Sequence, residues 1–318
     1  MTKILITRPM PNAVEERARD MGDITFRTET APLSADEMVA ALRDFDVLLP
    51  TLGDQFSAKI FAQVDAPRAQ LLANFGVGYN HIDVVAAKSK GLIVTNTPGA
   101  VTDATADIAM TLMLMTARRA SEGERMVRAG QWEGWHPTQM LGLHISGKTV
   151  AIIGMGRIGQ AVAQRCHFGF GMQVVYVSRS AKELDFPAEQ CGSMIEASGK
   201  ADVVVVAVPG GAATKHLINA DVFDAMQGHA IFVNIARGDV VDEAALIRAL
   251  QYGAIGGAGL DVYEFEPQVP AELIAMENVT LFPHLGTASL EVRTGMGNMA
   301  LDNIEAFISG QAPANLVD

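Results

Sequence analysis

The chain has 318 residues, of which 49% are hydrophobic, and this length suits about two domains with separate cores. Its 24 lysines and arginines against 36 aspartates and glutamates give a formal net charge of −12, which argues against a nucleic-acid partner. The two cysteines, Cys166 and Cys191, lack the spacing of a disulfide framework or a zinc site, so we predict no metal and a reducing, cytoplasmic setting.

The N-terminal third of the chain is predicted to form a first α/β unit. Short apolar runs indicate four strands, at Ile4–Ile6, Val47–Leu49, Gln70–Ala73 and Leu92–Thr95, with helices between them. The first run follows Met1 closely and lacks the charged start and long apolar segment of an export signal. We therefore expect the protein to stay in the cytoplasm.

A long apolar helix is predicted at Thr105–Arg119. Its apolar run, Ile108–Ala117, is about half as long as a membrane-spanning helix, so we expect a buried helix and no membrane partner. Its methionines stand at helical spacing, which is typical of core packing rather than of a binding surface. We expect this helix to bridge two domains.

A second series of strands follows this helix. Its apolar runs are continuous rather than alternating, as expected for parallel strands covered on both faces. The predicted strands are Thr149–Ile153, Val174–Val177, Val203–Val208, Ile231–Asn234, Ala258–Asp261 and Val279–Phe282. A last helix near Glu291–Ile308 is expected to return to the first domain. The predicted class is α/β, with two doubly wound parallel-sheet domains and a cleft between them.

A glycine loop follows the first strand of this second series. Thr149–Ile153 runs into Gly154-Met-Gly156-Arg-Ile-Gly159, and a helical stretch, Gln160–His167, comes next. The glycines permit, in order, a tight turn, close approach of a pyrophosphate to the backbone, and close packing of the helix on the strand. Phosphate is stabilised at such a helix N-terminus. This order of elements indicates dinucleotide binding rather than a merely structural turn.

The residues after the next strand bear on which dinucleotide binds. NAD binders usually carry an acidic residue about 20 positions beyond the glycine loop, and here Ser178 stands at that position. Arg179 and Ser180 are suited to gripping a 2′-phosphate through charge-assisted hydrogen bonds. The sequence therefore favours NADP(H) over NAD(H). Two alternatives stay open: Arg179 lies in solvent or stacks on adenine, or Glu183 reaches the ribose.

Three ionisable residues follow consecutive strands of this second series. Arg237, Glu266 and His284 would meet at the carboxyl edge of the sheet, where ligands of doubly wound folds gather. Arginine suits a carboxylate and a carbonyl oxygen, and a histidine oriented by glutamate suits proton transfer as hydride reaches a 2-keto acid. Singly, each has a structural explanation: an ion pair of Arg237 with Asp239, a turn at Glu266, and a core imidazole at His284.

Through these blocks the chain resembles the D-isomer-specific 2-hydroxyacid dehydrogenases over essentially its whole length. The matching segments are the glycine loop, Asn234-Ile-Ala-Arg237-Gly238, Asp261-Val-Tyr-Glu-Phe-Glu266-Pro267, Pro283-His284, Asn74–Asp83, Asn96–Gly99 and Thr105–Asp107. The resemblance implies two Rossmann-like domains and usually a homodimer. It implies a discontinuous substrate-binding domain, residues 1–100 with 288–318, around a dinucleotide-binding domain, residues 101–287.

The resemblance also implies roles for single residues. His284 would protonate the carbonyl oxygen, Glu266 would orient its imidazole, and Arg237 would bind the carboxylate and carbonyl of the substrate. Asp261 would anchor the nicotinamide carboxamide. The other implied cofactor contacts are Thr105, Gly154, Gly156, Arg157, Ile158, Gly159, Ser178, Arg179, Ser180, Val208, Pro209, Thr214, Ile235, Ala236 and Gly286.

Further residues are implied for the substrate. The backbone amides of Val77 and Gly78 would cradle its carboxylate, and Leu52 would line the pocket. Trp135 lies in a segment similar to a loop of glyoxylate and hydroxypyruvate reductases that reaches the neighbouring subunit's active site. A tryptophan packed in a dimer interface without touching substrate is the alternative.

The expected activity follows from these features. Glu266 stands where formate dehydrogenases of the superfamily carry glutamine, and the chain ends soon after its last predicted helix, without the added regulatory domain common in phosphoglycerate dehydrogenases. We therefore expect NADPH-dependent reduction of glyoxylate or hydroxypyruvate. The alternatives are an NAD-dependent enzyme for a bulkier 2-keto acid, and a dinucleotide-sensing protein like the family's transcriptional corepressors.

Overall fold

The computed structural model describes residues 2–317, which form two compact α/β units. The first unit comprises the chain up to Val101 and from Ala288 onward, and the second is Thr102–Thr287. In chain order the α-helices are α1 Asn12–Arg19, α2 Ala35–Asp44, α3 Ala58–Phe61, α4 Val84–Ser89, α5 Thr102–Ala117, α6 Ala120–Arg128, α7 Arg157–Gln164, α8 Met194–Lys200, α9 Ala220–Ala225, α10 Glu243–Gln251, α11 Ala271–Ala275 and α12 Leu290–Ile308.

The first unit is built on a parallel sheet of five strands. These are β1 Lys3–Ile6, β2 Asp23–Phe26, β3 Val47–Leu49, β4 Leu71–Ala73 and β5 Ile93–Thr95, in the spatial order β2-β1-β3-β4-β5. Alternate residues of β3 enter two cores: Leu48 packs into one, and Val47 and Leu49 pack into the other. Both faces of the sheet are therefore buried, which explains the unbroken apolar runs.

The second unit is built on a parallel sheet of seven strands. These are β6 Thr149–Ile153, β7 Gln173–Val177, β8 Ala188–Gln190, β9 Val203–Val206, β10 Ile231–Asn234, β11 Gly257–Leu260 and β12 Val279–Leu281, in the order β12-β11-β10-β9-β6-β7-β8. In β6, Val150 and Ile152 face one core while Ala151 and Ile153 face the other. The predicted class, two doubly wound parallel-sheet domains, is confirmed.

Two strands of the structure were not predicted from the sequence. β2 and β8 each lie at one edge of their sheet, and their side chains are exposed or half-buried, whereas the strands at the opposite edges, β5 and β12, are mostly buried. Because the side chains of β2 and β8 are covered less completely, Asp23–Phe26 and Ala188–Gln190 carry no continuous apolar run. The ten predicted strands are all present; three have the predicted ends, and the ends of the others shift by one or two residues.

The long apolar helix is α5, and it lies inside the second unit. Met110 and Met113 are buried on it and Met115 is half-buried, so core packing accounts for these methionines. The predicted helix end at Arg119 is wrong, because that residue adopts a left-handed conformation with φ of 55° that separates α5 from α6. Within residues 2–317, no helix is long and apolar enough to cross a membrane.

Both cysteines are buried in the second unit. Cys166 lies in a π-helical segment, Arg165–Gly169, that continues α7, and its thiol is 3.7 Å from the sulfur of Met110. Burial raises the pKa of the Cys166 thiol to about 12. Cys191 follows β8 and is 4% exposed.

Candidate active site

The structure brings His284 and Glu266 together in the second unit. Nδ1 of His284 lies 2.9 Å from Oε2 of Glu266, and both side chains are about one third exposed. The other carboxylate oxygen of Glu266 accepts a hydrogen bond from the backbone N–H of Tyr263 at 3.1 Å. The glutamate is thus fixed by its own loop and in turn fixes the imidazole ring.

Asp261 holds the backbone that carries His284. Its carbonyl oxygen accepts from the N–H of His284 at 2.9 Å, and its carboxylate accepts from the N–H groups of Leu285 and Gly286 at 2.6 and 2.9 Å. The hydroxyl of Thr105 donates to the carbonyl of Gly286 at 3.1 Å. This scaffolding role was not predicted, because it depends on two strand ends meeting in the sheet.

Burial and hydrogen bonds shift the pKa values of the two carboxylates of the site in opposite directions. Burial alone raises the pKa of Glu266, but the hydrogen bond and charge of His284 more than offset it, so that its pKa lies below the usual range. Burial raises the pKa of Asp261, and the N–H groups of Leu285 and Gly286 offset only part of that rise. Glu266 is therefore an anion at neutral pH and acts as the acceptor for His284.

Arg237 follows β10 on a loop shaped by Asn234. Nδ2 of Asn234 donates to the carbonyl of Arg237 at 3.1 Å, while its Oδ1 accepts from the N–H of Ala236 at 3.0 Å. Burial lowers the pKa of Arg237, and the charges of Glu266 and Asp239 oppose that change. An arginine remains cationic under such a shift. The site therefore offers a positive group at the same sheet edge as the histidine and glutamate.

The glycine loop has the shape that a pyrophosphate requires. Gly154 has φ of 105°, and a methyl group on Gly159 would overlap the carbonyl oxygen of Gly154. Gly156 caps the first turn of α7, and no side chain among the described residues caps this helix. Its N-terminal N–H groups are thus open to a phosphate, and the loop fits a dinucleotide.

The segment after β7 is exposed and cationic. Arg179 and Ser180 are exposed, and Ser178 is held because its carbonyl accepts from Nε2 of Gln190 at 3.0 Å. Nζ of Lys182 donates to the hydroxyl of Ser180 at 3.1 Å, a contact that the sequence did not reveal. Arg179 and Lys182 therefore flank Ser180, two residues beyond Ser178, the position at which NAD binders carry an acid.

The remaining predicted cofactor residues share one edge of the second sheet. They follow the carboxyl ends of β6, β9, β10 and β12: Arg157 and Ile158; Val208, Pro209 and Thr214; Ile235 and Ala236; and Gly286. The hydroxyl of Thr214 donates to the carbonyl of Pro209 at 2.8 Å, which closes that loop. Since all seven strands are parallel, these residues line the edge where doubly wound sheets bind ligands.

The predicted substrate residues of the first unit lie at neighbouring strand ends. Leu52 follows β3, and Val77 and Gly78 follow β4. A backbone bridge between Thr51 and Phe75 joins the two loops. Leu52, Val77 and Gly78 are half-buried and lie at the carboxyl edge of that sheet.

Trp135 is 78% exposed on the second unit, and Trp132 of the same irregular segment is 55% exposed. Neither tryptophan is packed into the core of its own unit. Helix α6, which leads into this segment, buries none of its residues within the described chain.

Comparison with known proteins gives a family and several full-length relatives. Residues 110–286 match the model of the D-isomer specific 2-hydroxyacid dehydrogenase, NAD binding domain. A glyoxylate reductase of Thermococcus kodakarensis is 42% identical, with 99% of this chain and 96% of the relative covered.

Solved structures show the same similarity. A protein of Thermus thermophilus superposes with a TM-score of 0.91 at 38% identity, covering 99% of this chain and 100% of its own. The NADPH-dependent glyoxylate/hydroxypyruvate reductase of Sinorhizobium meliloti, solved in complex with NADP and malonate, gives a TM-score of 0.88 at 34% identity, covering 99% and 96%.

Proposed function

This chain belongs to the D-isomer specific 2-hydroxyacid dehydrogenase family, and from that premise we propose that it reduces glyoxylate and hydroxypyruvate with NADPH. The family makes it an NAD(P)-dependent oxidoreductase of 2-keto acids. The choice of NADPH and of these two small acids is the finer part of the proposal. The observation that carries the proposed reduction of a keto acid is the His284–Glu266 pair, at the strand ends that follow the dinucleotide loop.

In this proposal the second unit binds the dinucleotide. Gly154, Gly156 and Gly159 would hold the pyrophosphate against the N-terminus of α7, and Arg179 with Ser180 would hold the 2′-phosphate. When bound, the reduced nicotinamide supplies a hydride to the carbonyl carbon of the substrate.

His284 would supply the proton that the reaction needs. Because Glu266 is ionised, Nδ1 of His284 carries a hydrogen and donates it to the carboxylate, which leaves Nε2 to face the substrate. As the carbonyl carbon gains the hydride, its oxygen takes the Nε2 proton of the imidazolium, and the histidine is left neutral. Oxidation of the hydroxy acid runs in reverse, with the neutral imidazole accepting the hydroxyl proton.

Arg237 and the first unit would hold the substrate. The guanidinium suits both the carboxylate and the carbonyl oxygen on which negative charge develops. The N–H groups of Val77 and Gly78 would receive the carboxylate, and Leu52 would lie beside the small side chain of the acid. In this assignment, residues 1–100 with 288–318 form the substrate domain.

Two observations support the finer proposal. Arg179 and Lys182 flank Ser180, just beyond Ser178, where an NAD binder carries an acid. The relatives named above include a glyoxylate reductase and an NADPH-dependent glyoxylate/hydroxypyruvate reductase. The first observation supports NADPH, and the second supports a small 2-keto acid, with NADPH named for the reductase of Sinorhizobium meliloti.

The test is the loss of reduced-nicotinamide absorbance, with NADPH and NADH each paired with glyoxylate, hydroxypyruvate, pyruvate and phenylpyruvate. We expect the highest kcat/KM with NADPH and either glyoxylate or hydroxypyruvate. A preference for NADH or for phenylpyruvate would keep the family chemistry but overturn the finer proposal. No turnover with any pair, in a protein that still binds NADPH, would indicate a dinucleotide-sensing protein instead.

A further inference from the structure

We propose that Asn74 and Asn96 are positioning residues that hold the Gly76–Gly78 segment in the conformation that receives the substrate carboxylate, and that His81 fixes Asn74. The inference rests on the proposed reduction of keto acids and adds residues to its site. Asn74 directly follows β4 and Asn96 directly follows β5, and these strands are neighbours in the first sheet.

Side-chain amides hold every carbonyl of this segment. Nδ2 of Asn74 donates to the carbonyl oxygens of Gly76 and Gly78, at 3.1 and 3.0 Å. Nδ2 of Asn96 donates to the carbonyl of Val77 at 2.9 Å. Three successive peptide units are thus oriented by two asparagines.

These bonds decide where the backbone N–H groups point. In a planar trans peptide the N–H lies opposite the carbonyl of the preceding residue. The N–H groups of Val77 and Gly78 therefore point away from the asparagine amides, and neither has an acceptor in residues 2–317. Two successive unpaired N–H groups on a half-buried loop suit a carboxylate.

His81 determines the orientation of Asn74. Because Nδ2 of Asn74 donates to two carbonyls, its Oδ1 is the atom left to accept, and Nε2 of His81 lies 3.0 Å from it. Nε2 of His81 is therefore protonated in this arrangement. Asn74 is fully buried and His81 is 3% exposed, so both act on the substrate only through the loop.

The role predicts a specific kinetic signature. The carboxylate of a 2-keto acid takes no part in hydride transfer, so the N–H groups bind ground state and transition state alike. Weakening such uniform binding raises KM and leaves kcat nearly unchanged. The dinucleotide would be bound by the second unit, so its dissociation constant should not move.

Asn96→Asp gives the most direct test. The aspartate keeps the shape but turns an acceptor toward the Val77 carbonyl and adds a negative charge beside the site. We expect KM for glyoxylate to rise at least about tenfold, kcat to change less than about threefold, and the dissociation constant of NADPH to stay constant. The matched control is Asn278→Asp, where an exposed Nδ2 donates to the Gly256 carbonyl at 3.3 Å in the second unit, and KM should be unchanged.

A pair of variants at His81 separates positioning from stability. His81→Gln keeps a hydrogen-bond donor near the place of Nε2, whereas His81→Leu removes that donor. Both variants remove the Nδ1 atom, so this loss is the same in the two. We expect His81→Gln to keep KM within about threefold of the parent and His81→Leu to raise it about tenfold. Equal KM values in both variants would contradict the role of His81.

The outcomes for the two proposals are distinguishable. An unchanged KM in Asn96→Asp, or a parallel loss of kcat, NADPH binding and melting temperature, would overturn the positioning role while the parent enzyme stays active. If the parent turns over no keto acid, the proposed function fails. Calorimetric titration of the NADPH-loaded protein with oxalate then decides the inference: weaker binding to Asn96→Asp than to Asn278→Asp supports it, and equal binding overturns it.

Discussion

His284 adopts a backbone conformation that few residues other than glycine, asparagine and aspartate accept. Its φ is 55°, and its N–H is held by the carbonyl of Asp261. A conformation of this kind is maintained by its surroundings. Here these are the hydrogen bonds from the N–H groups of Leu285 and Gly286 to the Asp261 carboxylate, and the contact of the imidazole with Glu266. The imidazole is therefore pre-oriented before any substrate arrives, which is what a proton donor requires.

Replacing Glu266 by glutamine should impair reduction more at high pH than at low pH. The pKa of Glu266 is below its ordinary value of 4.5, so the stabilising carboxylate is fully present above that pH and is lost only as the pH falls through the lower, folded-state value. Without that anion the imidazolium loses its partner. We expect kcat at neutral pH to drop about 10²-fold, and the gap between variant and parent to narrow as the pH falls toward the folded-state pKa of Glu266.

A pH–rate profile from about pH 5 to about pH 9, with NADPH saturating, checks this expectation. Glu264→Gln is the control, because Glu264 pairs with His216 rather than with His284. A Glu266→Gln variant that keeps the parent's kcat at neutral pH would show that the carboxylate does not support proton donation by His284.

Replacing Arg179 by alanine should weaken NADPH selectively. A charge-assisted hydrogen bond to the 2′-phosphate contributes about 1.5–3 kcal/mol, so KM for NADPH should rise about 10- to 100-fold while KM for NADH stays the same. The measurement is the ratio of kcat/KM for the two cofactors in Arg179→Ala and in the control Arg43→Ala, whose Nη2 donates to the carbonyl of Gln63 in the first unit. Equal losses for both cofactors would point to stacking on adenine.

The sequence predicted the residues of this site better than their partners. Arg237, Glu266 and His284 are identifiable because each follows a buried strand in a recognisable block. Asn74, Asn96 and Lys182 are not. Asn96 bonds to Val77 on the loop after a neighbouring strand, and the short-range bonds of Asn74 and Lys182 depend on loop conformations that the sequence does not show.

How well each strand could be predicted depends on how fully its side chains are buried. Central strands such as β6 and β9 are predictable because burial on both faces demands an unbroken apolar run. The edge strands β2 and β8 bury none of their side chains fully, so they need no apolar run, whereas the edge strands β5 and β12 are mostly buried and were predicted. The predicted strand at Val203–Val208 ends instead at Val206, because the backbone there turns into the loop that passes the glycine turn.

The loop after β10 packs against the loop after β11 through a glycine. A methyl group on Gly238 would overlap the backbone of Tyr263, so Gly238→Ala must push apart the loops that carry Arg237 and Glu266. We expect a loss of about 1–3 kcal/mol in the free energy of unfolding, together with reduced kcat. Denaturant unfolding measures the first and steady-state kinetics the second.

Gly295→Ala is the control, since a methyl group there meets nothing within 4 Å and the residue lies inside α12. It should stabilise the protein by roughly 0.5–1 kcal/mol through helix propensity. Gly238→Ala as stable and as active as its parent would show that the two loops tolerate separation.

Assembly of two copies is the remaining expectation from the family resemblance. Trp132, Trp135 and Val127 of α6 are exposed, and no residue of α6 is fully buried, so apolar side chains of the second unit are uncovered among the described residues. We expect a homodimer, with light scattering reporting twice the chain mass. Trp132→Ser with Trp135→Ser should shift the protein toward the monomer, and a parent that is already monomeric would contradict the expectation.

The two cysteines can serve as probes for the opening of the second unit. Cys166 and Cys191 are the chain's only cysteines, and both are buried in the second unit. A thiol reagent can modify them only when that unit opens, since a buried thiol such as Cys166, with a pKa of about 12, is neither accessible nor ionised. The rates of thiol labelling in mild denaturant therefore measure the opening of the second unit alone, because the first unit has no cysteine to label.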